Sequence, residues 1–225
     1  MAGRIERFGF VLSDHLIKTY AALCAAFALT IVTGNLVYQK FVYFSFPFYV
    51  FELSVGAILY PFTFMISDLT TEFFGKAKAR YCVTLGLAIN LVVALVLLGL
   101  DRLPATSWST VSDSTFHQVF GHTPYASVIS VFAAYVSQRC DISIYWFVRH
   151  KTSWLPLANF CAMSLSLLVD TCIVVSILNL LHLIPLGKAL TIVANAYLFK
   201  LLLSVLNVPI FAFTTRWIRK HVFTH

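Results

Sequence analysis

Charged residues are scarce in this chain. Asp, Glu, Lys and Arg make up 11% of its 225 residues, whereas soluble globular proteins carry about 25%. Hydrophobic residues account for 60%, and the mean hydropathy is +0.85. This composition excludes a soluble globular chain and leaves no room for a separate soluble domain. We therefore expect residues 1–225 to form a single transmembrane domain.

Motifs of known catalytic chemistry are also missing. The chain has no H-E-x-x-H, no G-x-S-x-G and no paired Gly-flanked aspartates, which argues against an intramembrane enzyme. It has no Walker motif either, so coupling to ATP would require a partner protein. The sequence indicates no cofactor.

Cysteine pairing and metal binding are not indicated. The cysteines are odd in number, lack CxxC spacing and all fall within apolar runs: Cys24, Cys82, Cys140, Cys161 and Cys172. We interpret them as reduced packing residues. His117 and His122, with Asp113, lie in a polar stretch and are interpreted as solvated loop residues rather than metal ligands.

Long apolar runs dominate what remains. Runs of about twenty residues predict transmembrane helices, whereas a lipid-spanning barrel would show short alternating segments. The first run is long for a signal peptide and predicts an uncleaved helix. The sequence thus predicts an all-α polytopic membrane protein with six spans, at about 16–38, 48–66, 81–100, 125–147, 157–181 and 186–213.

The distribution of Lys and Arg predicts the orientation of these spans. Eleven lie at the N-terminus (with Lys18), in the 67–80 and 148–156 connections and in the C-terminal tail. Only three lie in the other connections. Because cytoplasmic segments carry the excess of Lys and Arg, both termini are expected to be cytoplasmic.

The stretch Ile66–Arg80 carries two acids where one apolar run ends and the next begins. Asp68 and Glu72 are four residues apart, so on a helix they share a face. Gly75 favours close packing or a C-terminal turn. A solvated loop is the plain alternative, but acids recur at membrane depth in later spans.

Ionisable residues inside the later spans are costly, on the order of 3 kcal/mol each, and normally face the bundle interior in pairs. Gln138 and Asp141 are three apart on span 4, so they can face one cavity. Asp170 and Lys200 lie near the middle of spans 5 and 6 and are the natural ion pair. Such a pair can lock helices together or line a ligand cavity. Acids, an amide and aromatic rings suit a flat polar heterocycle, although cations would also suit the acids.

Several of these residues recur, in the same order, in a known pattern. It comprises Asn35 followed by Lys40; Pro61-Phe62-Thr63 leading to Asp68, Thr71, Glu72 and Gly75; Gln138 and Asp141 followed by Arg149; and Asp170-Thr171 followed by Lys200. The pattern resembles the queuosine-precursor transporter family, six-helix inner-membrane proteins also described as vitamin-uptake-like transporters. The resemblance extends over about residues 33–211. The combination of these motif elements is specific to the family, although each element alone is a weak signal.

The resemblance implies uptake of 7-deazaguanine compounds, namely 7-cyano-7-deazaguanine, 7-aminomethyl-7-deazaguanine or queuine, which feed queuosine synthesis in transfer RNA. It implies a multi-pass protein of the bacterial inner membrane with no nucleic acid bound directly. It also implies an architecture similar to the substrate-binding components of energy-coupling-factor transporters. The implied substrate-contact or cavity positions are Asn35, Asp68, Glu72, Gln138, Asp141, Asp170 and Lys200.

The chain departs from the family pattern in span 5 and at one position of span 4. Ala162, Met163 and Leu167 stand where the family usually has polar residues, and Arg139 stands where an apolar residue is usual. A less polar wall would suit the larger queuine better than the cyano compound. Another nucleobase or vitamin as the substrate, and a structural membrane subunit without a substrate, are the alternative hypotheses.

Overall fold

In the computed structural model, residues 14–46, 49–181 and 186–222 are described. Arg4, Arg7 and Pro47 lie outside these ranges. The helices are α1 (Asp14–Leu36), α2 (Val55–Leu100), α3 (Asp113–Phe116), α4 (Thr123–Lys151), α5 (Leu155–Leu180) and α6 (Leu186–Val222). A five-residue π-helical turn, His117–Gly121, joins α3 to α4. Strands β1 (Phe41–Phe46) and β2 (Tyr49–Ser54) pair antiparallel between α1 and α2.

The long helices confirm a multi-pass membrane protein. Five helical stretches in the described part of the chain are long and apolar enough to cross a bilayer. Large apolar side chains on their outer faces are exposed, for example Leu29, Leu95 and Phe132, as expected of surfaces that contact lipid. The five cysteines are free thiols, as predicted.

Helix α2 is 46 residues long, about 69 Å at 1.5 Å per residue and more than twice the hydrocarbon thickness of a bilayer. Its backbone is non-helical at Gly75, where φ is 82° and ψ is 167°. This residue divides the helix into α2a (55–74) and α2b (76–100). The predicted turn at Gly75 is therefore present.

Contacts with α1 show that the two halves run in opposite directions. The hydroxyl of Tyr20 donates to the carbonyl oxygen of Lys78 at 2.9 Å, and Phe27 packs against Gly86. Gly34, at the far end of α1, packs closely against Gly56. From the start to the end of α1, the partners are first Lys78 and Gly86 of α2b and then Gly56, at the start of α2a. The chain thus reverses at Gly75.

Three sequence predictions about this region are wrong. The fold is not purely helical, because residues predicted to begin the second span form strand β2 of a hairpin. The second span starts at Val55 rather than at residue 48. The predicted 67–80 connection is helical except at Gly75. Alternation within an apolar, aromatic-rich segment does not separate a strand from a helix start, which explains the first error.

The break also gives the bundle two recognisable ends. We call the end that holds Gly75 and the C-termini of α4 and α6 the basic end, because its helix termini carry Arg149, Lys151, Arg219 and Lys220. The opposite end, where α1 leads into the β-hairpin, is called the hairpin end. There the rings of Phe44 and Phe51 contact Phe199 of α6, with centroids 5.6 and 5.5 Å apart.

Replacing Gly75 by alanine is expected to destabilise the fold by about 1–3 kcal/mol, since a side chain is strained at this φ and ψ. The matched control is Gly99→Ala, where an added Cβ meets nothing within 4 Å and no left-handed backbone is involved. That control should be neutral or slightly stabilising. Thermal melting of the purified variants checks the pair, and equal melting temperatures would contradict the role of Gly75.

Candidate functional site

A cavity of about 590 Å³ opens among α1, α2a, α4, α5 and α6 toward the hairpin end. This volume is in the range of small-molecule sites. Its lining includes three of the residues predicted from the sequence, Asn35, Asp170 and Lys200. Aromatic and hydroxyl groups complete the polar part of the wall: Thr30, Tyr38, Ser54, Tyr60, His122, Tyr125 and Ser130.

Asp170 is the most heavily coordinated group of the cavity wall. One carboxylate oxygen accepts from the hydroxyl of Tyr60 at 2.5 Å and from Ser137 at 3.5 Å. The other accepts from Lys200 Nζ at 2.8 Å. The predicted Asp170–Lys200 ion pair is thus present, with side chains only 4% and 12% exposed.

Lys200 is held in place by two further contacts. Its ammonium donates to Thr171 Oγ1 at 3.2 Å and lies over the ring of Tyr60, 5.0 Å from the centroid. The pair therefore presents an ordered charged surface, backed by an aromatic ring, to whatever occupies the cavity.

Asn35 contributes an unused hydrogen-bond donor. Its Nδ2 is buried and has no hydrogen-bond partner among the described residues. Beside it in the lining, Tyr38 follows the end of α1. Its phenol and the amide of Asn35 offer polar hydrogens to a ligand.

A buried polar column continues from the cavity toward the basic end. Gln138 Nε2 donates to Thr63 Oγ1 at 2.9 Å, and Ser67 donates to Asp141 Oδ2 at 3.0 Å. All four side chains are fully buried. These contacts join α2a to α4 and explain why polar residues recur along one face of each helix.

Asp68 forms the next level of this column. Its Oδ2 accepts from Asn159 Nδ2 of α5 at 2.6 Å, and the preceding residue, Ser67, is the donor to Asp141. Asp68, Asp141 and Asn159 are all 0% exposed. The two predicted acids thus lie beside each other in the column rather than lining the cavity.

Glu72 lies one turn further on and ends the column. Its carboxylate accepts from Tyr145 at 2.9 Å and from Arg149 at 2.9 and 3.2 Å. It also pairs with Arg219 of α6. These four side chains, here called the Glu72 cluster, tie together the ends of α2a, α4 and α6. A small cavity of about 280 Å³ lies beside them.

The structure thus distributes the seven predicted residues over three levels. Asn35, Asp170 and Lys200 line the cavity; Asp68, Gln138 and Asp141 lie in the column; Glu72 lies at the basic end. The sequence interpretation missed Tyr60 and Asn159. A lone amide inside an apolar span was the available signal for Asn159, whereas nothing distinguished Tyr60 from other aromatic residues.

Arg139, the unusual residue of α4, is separate from this column. Its guanidinium lies over the ring of Tyr135, 4.6 Å from the centroid, and shares a surface groove with Arg80. Among the described residues, no group of three or more His, Cys, Asp or Glu is arranged to hold a metal ion.

Membrane-length helices that enclose a cavity with a charged pair in its wall, and a buried polar column beside it, are typical of small-molecule transporters. Over residues 54–214 the chain matches the family described as "Putative vitamin uptake transporter". This match covers more than half of the chain, and the protein belongs to that family.

A protein of Bacillus subtilis (strain 168) named "Probable queuosine precursor transporter" is 28% identical over 159 residues, which is 69% of each chain. These findings confirm the resemblance stated from the motifs, and both describe transporters rather than enzymes. No solved structure matches the chain, and the similarity to energy-coupling-factor components stays a prediction.

Proposed function

We propose that this protein imports 7-deazaguanine precursors of queuosine through the cavity lined by Asn35, Asp170 and Lys200. The cavity carries the proposal: its volume fits a purine-sized ring, and its wall combines charged, amide and phenolic groups. The Bacillus subtilis relative named for queuosine precursors supports this choice of substrate. The particular precursor is left to experiment.

The proposed topology has six crossings of the bacterial inner membrane. Segments α2a and α2b, of 20 and 25 residues, are each long enough to cross separately. The chain reversal at Gly75 supports this assignment. With the basic end in the cytoplasm, as the distribution of Lys and Arg favours, the cavity opens outward. Residues 1–225 then form one transmembrane domain with both termini cytoplasmic.

The cavity wall matches the chemistry of a 7-deazaguanine ring. The ring presents adjacent N–H donors on one edge, which a carboxylate can accept in parallel. Asp170 is the only carboxylate in the described cavity lining, and Lys200 neutralises it, so the pair suits a neutral ring. The amide of Asn35 can bond to the ring's carbonyl. Tyr60 or Tyr125 supplies an aromatic face for stacking.

The test uses a bacterium that cannot make these precursors and lacks its own importer. The gene is expressed there, and each precursor is fed in turn, with a matching transglycosylase for queuine. Queuosine in transfer RNA is read as a shift in gel mobility. Restoration at low precursor concentration supports the proposal and names the substrate. No restoration by any precursor, with the protein present in the membrane, would refute it and favour another nucleobase or vitamin.

In the same assay, Asn35→Leu is expected to lower uptake by about tenfold or more, since a hydrogen bond worth about 1–2 kcal/mol is lost. The matched control is Asn90→Leu in α2b. Asn90 is also a buried amide whose Nδ2 has no partner among the described residues, but it does not line the cavity. Equal uptake by the two variants would remove Asn35 from the proposed site.

A further inference from the structure

The two acids in the middle of the column lie side by side without a basic partner among the described residues. Asp68 and Asp141 are both 0% exposed, and Ser67, the neighbour of Asp68 in α2a, donates to Asp141. Asn159 donates to one and Ser67 donates to the other, each onto Oδ2. In the described part of the chain, neither acid has an ion pair with Lys or Arg.

The charged and titratable groups around this pair are already engaged. On the cavity side, Asp170 is paired with Lys200 and bound by Tyr60. On the basic side, Glu72 is bound by three groups that come from α4 and α6: Tyr145, Arg149 and Arg219. Ionising two neighbouring carboxyl groups in a buried site without a cation is very costly. The pair therefore holds at least one proton.

Unused oxygen atoms surround the same point. Three neutral side chains of α4 and α5 and both acids each have a buried oxygen without a hydrogen-bond partner among the described residues: Gln138 Oε1, Asn159 Oδ1, Ser166 Oγ, Asp68 Oδ1 and Asp141 Oδ1. The Oδ1 atoms of both acids thus have no donor among the described residues, and a proton on either acid gives its carboxyl group a donor of its own.

The site is placed between the cavity and the basic end. Along α4, Asp141 is one turn, about 6 Å, beyond Ser137, which contacts Asp170 of the cavity. Along α2a, Glu72 is one turn, about 6 Å, beyond Asp68. Acid pairs in the interior of membrane bundles commonly relay protons. The pair therefore lies one helical turn from the cavity wall on one side and one turn from the Glu72 cluster on the other.

We propose that Asp68 and Asp141 form a proton site that couples substrate uptake to the proton gradient. The inference rests on the proposed transport function. In the outward-open form the pair holds one proton and takes a second from the cavity, which makes the site neutral. When the Glu72 cluster opens, that second proton leaves to the cytoplasm, and one proton has crossed with each substrate molecule.

The test is transport by purified protein in liposomes with the membrane potential clamped at zero. Radiolabelled 7-cyano-7-deazaguanine, 7-aminomethyl-7-deazaguanine and queuine are tried in parallel. Two readouts are compared: equilibrium exchange across the membrane, and net accumulation under a pH gradient, acidic outside. With one proton per neutral substrate, one pH unit supports about tenfold accumulation. Internal pH is followed with a trapped dye, so proton entry in the wild type is measured without any variant.

Asp68→Asn and Asp141→Asn are expected to keep exchange and lose accumulation, because the amide cannot take the second proton. Asp113→Asn, the same change in an exposed position outside the bundle core, should behave as wild type. Exchange without pH-driven accumulation in the wild type would overturn the proton site while leaving the transport function standing. Accumulation driven by a sodium gradient would also overturn the proton site, and so would full accumulation by both Asn variants. Absence of exchange with all three compounds would refute the transport function itself.

Discussion

Replacing Lys200 by methionine is expected to lower the stability of the protein by about 3 kcal/mol, because Asp170 is left as a buried, unpaired acid. For a chain of this size that corresponds to a melting temperature lower by roughly 6–12 °C. Asp170 is only 4% exposed, so water cannot compensate for the lost ammonium. Thermal melting of the purified protein in detergent measures the effect.

The double variant Asp170→Asn with Lys200→Met separates a structural lock from a ligand site. Replacing both charges removes the unpaired acid and should recover most of the lost stability. Uptake should nevertheless be abolished, since the wall that faces the substrate has changed. A double variant with wild-type stability and wild-type uptake would show that the pair only holds α5 and α6 together.

Arg149→Ala is expected to be the second large effect. Arg149 makes two of the hydrogen bonds in the Glu72 cluster, and removing it leaves a carboxylate that is only 8% exposed. Hydrogen bonds to charged groups are worth about 1.5–3 kcal/mol, and we expect a loss of about 2–3 kcal/mol of stability. Transport should fall as well, because the ends of α2a and α4 are no longer tied.

Arg219→Ala is the matched control for this prediction. Arg219 pairs with the same carboxylate, but its side chain is 51% exposed, and exposed ion pairs contribute at most about 1 kcal/mol. Both variants remove an arginine that pairs with Glu72, but Arg149 is the more buried of the two and also donates to the carbonyl oxygen of Thr152 at 3.1 Å. Equal losses of melting temperature would contradict the view that Arg149 carries the cluster.

Much of the bundle follows from hydropathy alone. The apolar runs of α1, α4, α5 and α6 were placed within a few residues of their observed N-terminal ends. Asp170 and Lys200 were correctly paired from their depth, since an isolated charge there is too costly to leave unpaired. The glycine turn was likewise readable, because three cations follow Gly75 at the end of an apolar run.

The rest depends on tertiary contacts that no local pattern reports. Asp68 and Glu72 share a helix face, yet one bonds to Asn159 and the other to Arg149. Their separation into a column and an end cluster arises from which helix packs opposite each turn. Tyr60 owes its position in the cavity to the placement of α5, which brings Asp170 within 2.5 Å of its hydroxyl.

The central claim is that the cavity binds a 7-deazaguanine ring through Asn35 and Asp170. Calorimetric titration of the purified protein with the three precursors, and with adenine as a ring that lacks the adjacent N–H donors, tests it most directly. We predict that at least one precursor binds the wild type, that adenine does not, and that Asn35→Leu weakens binding by about tenfold. Binding of adenine as tight as that of the precursors, or unchanged binding by Asn35→Leu, would contradict the claim.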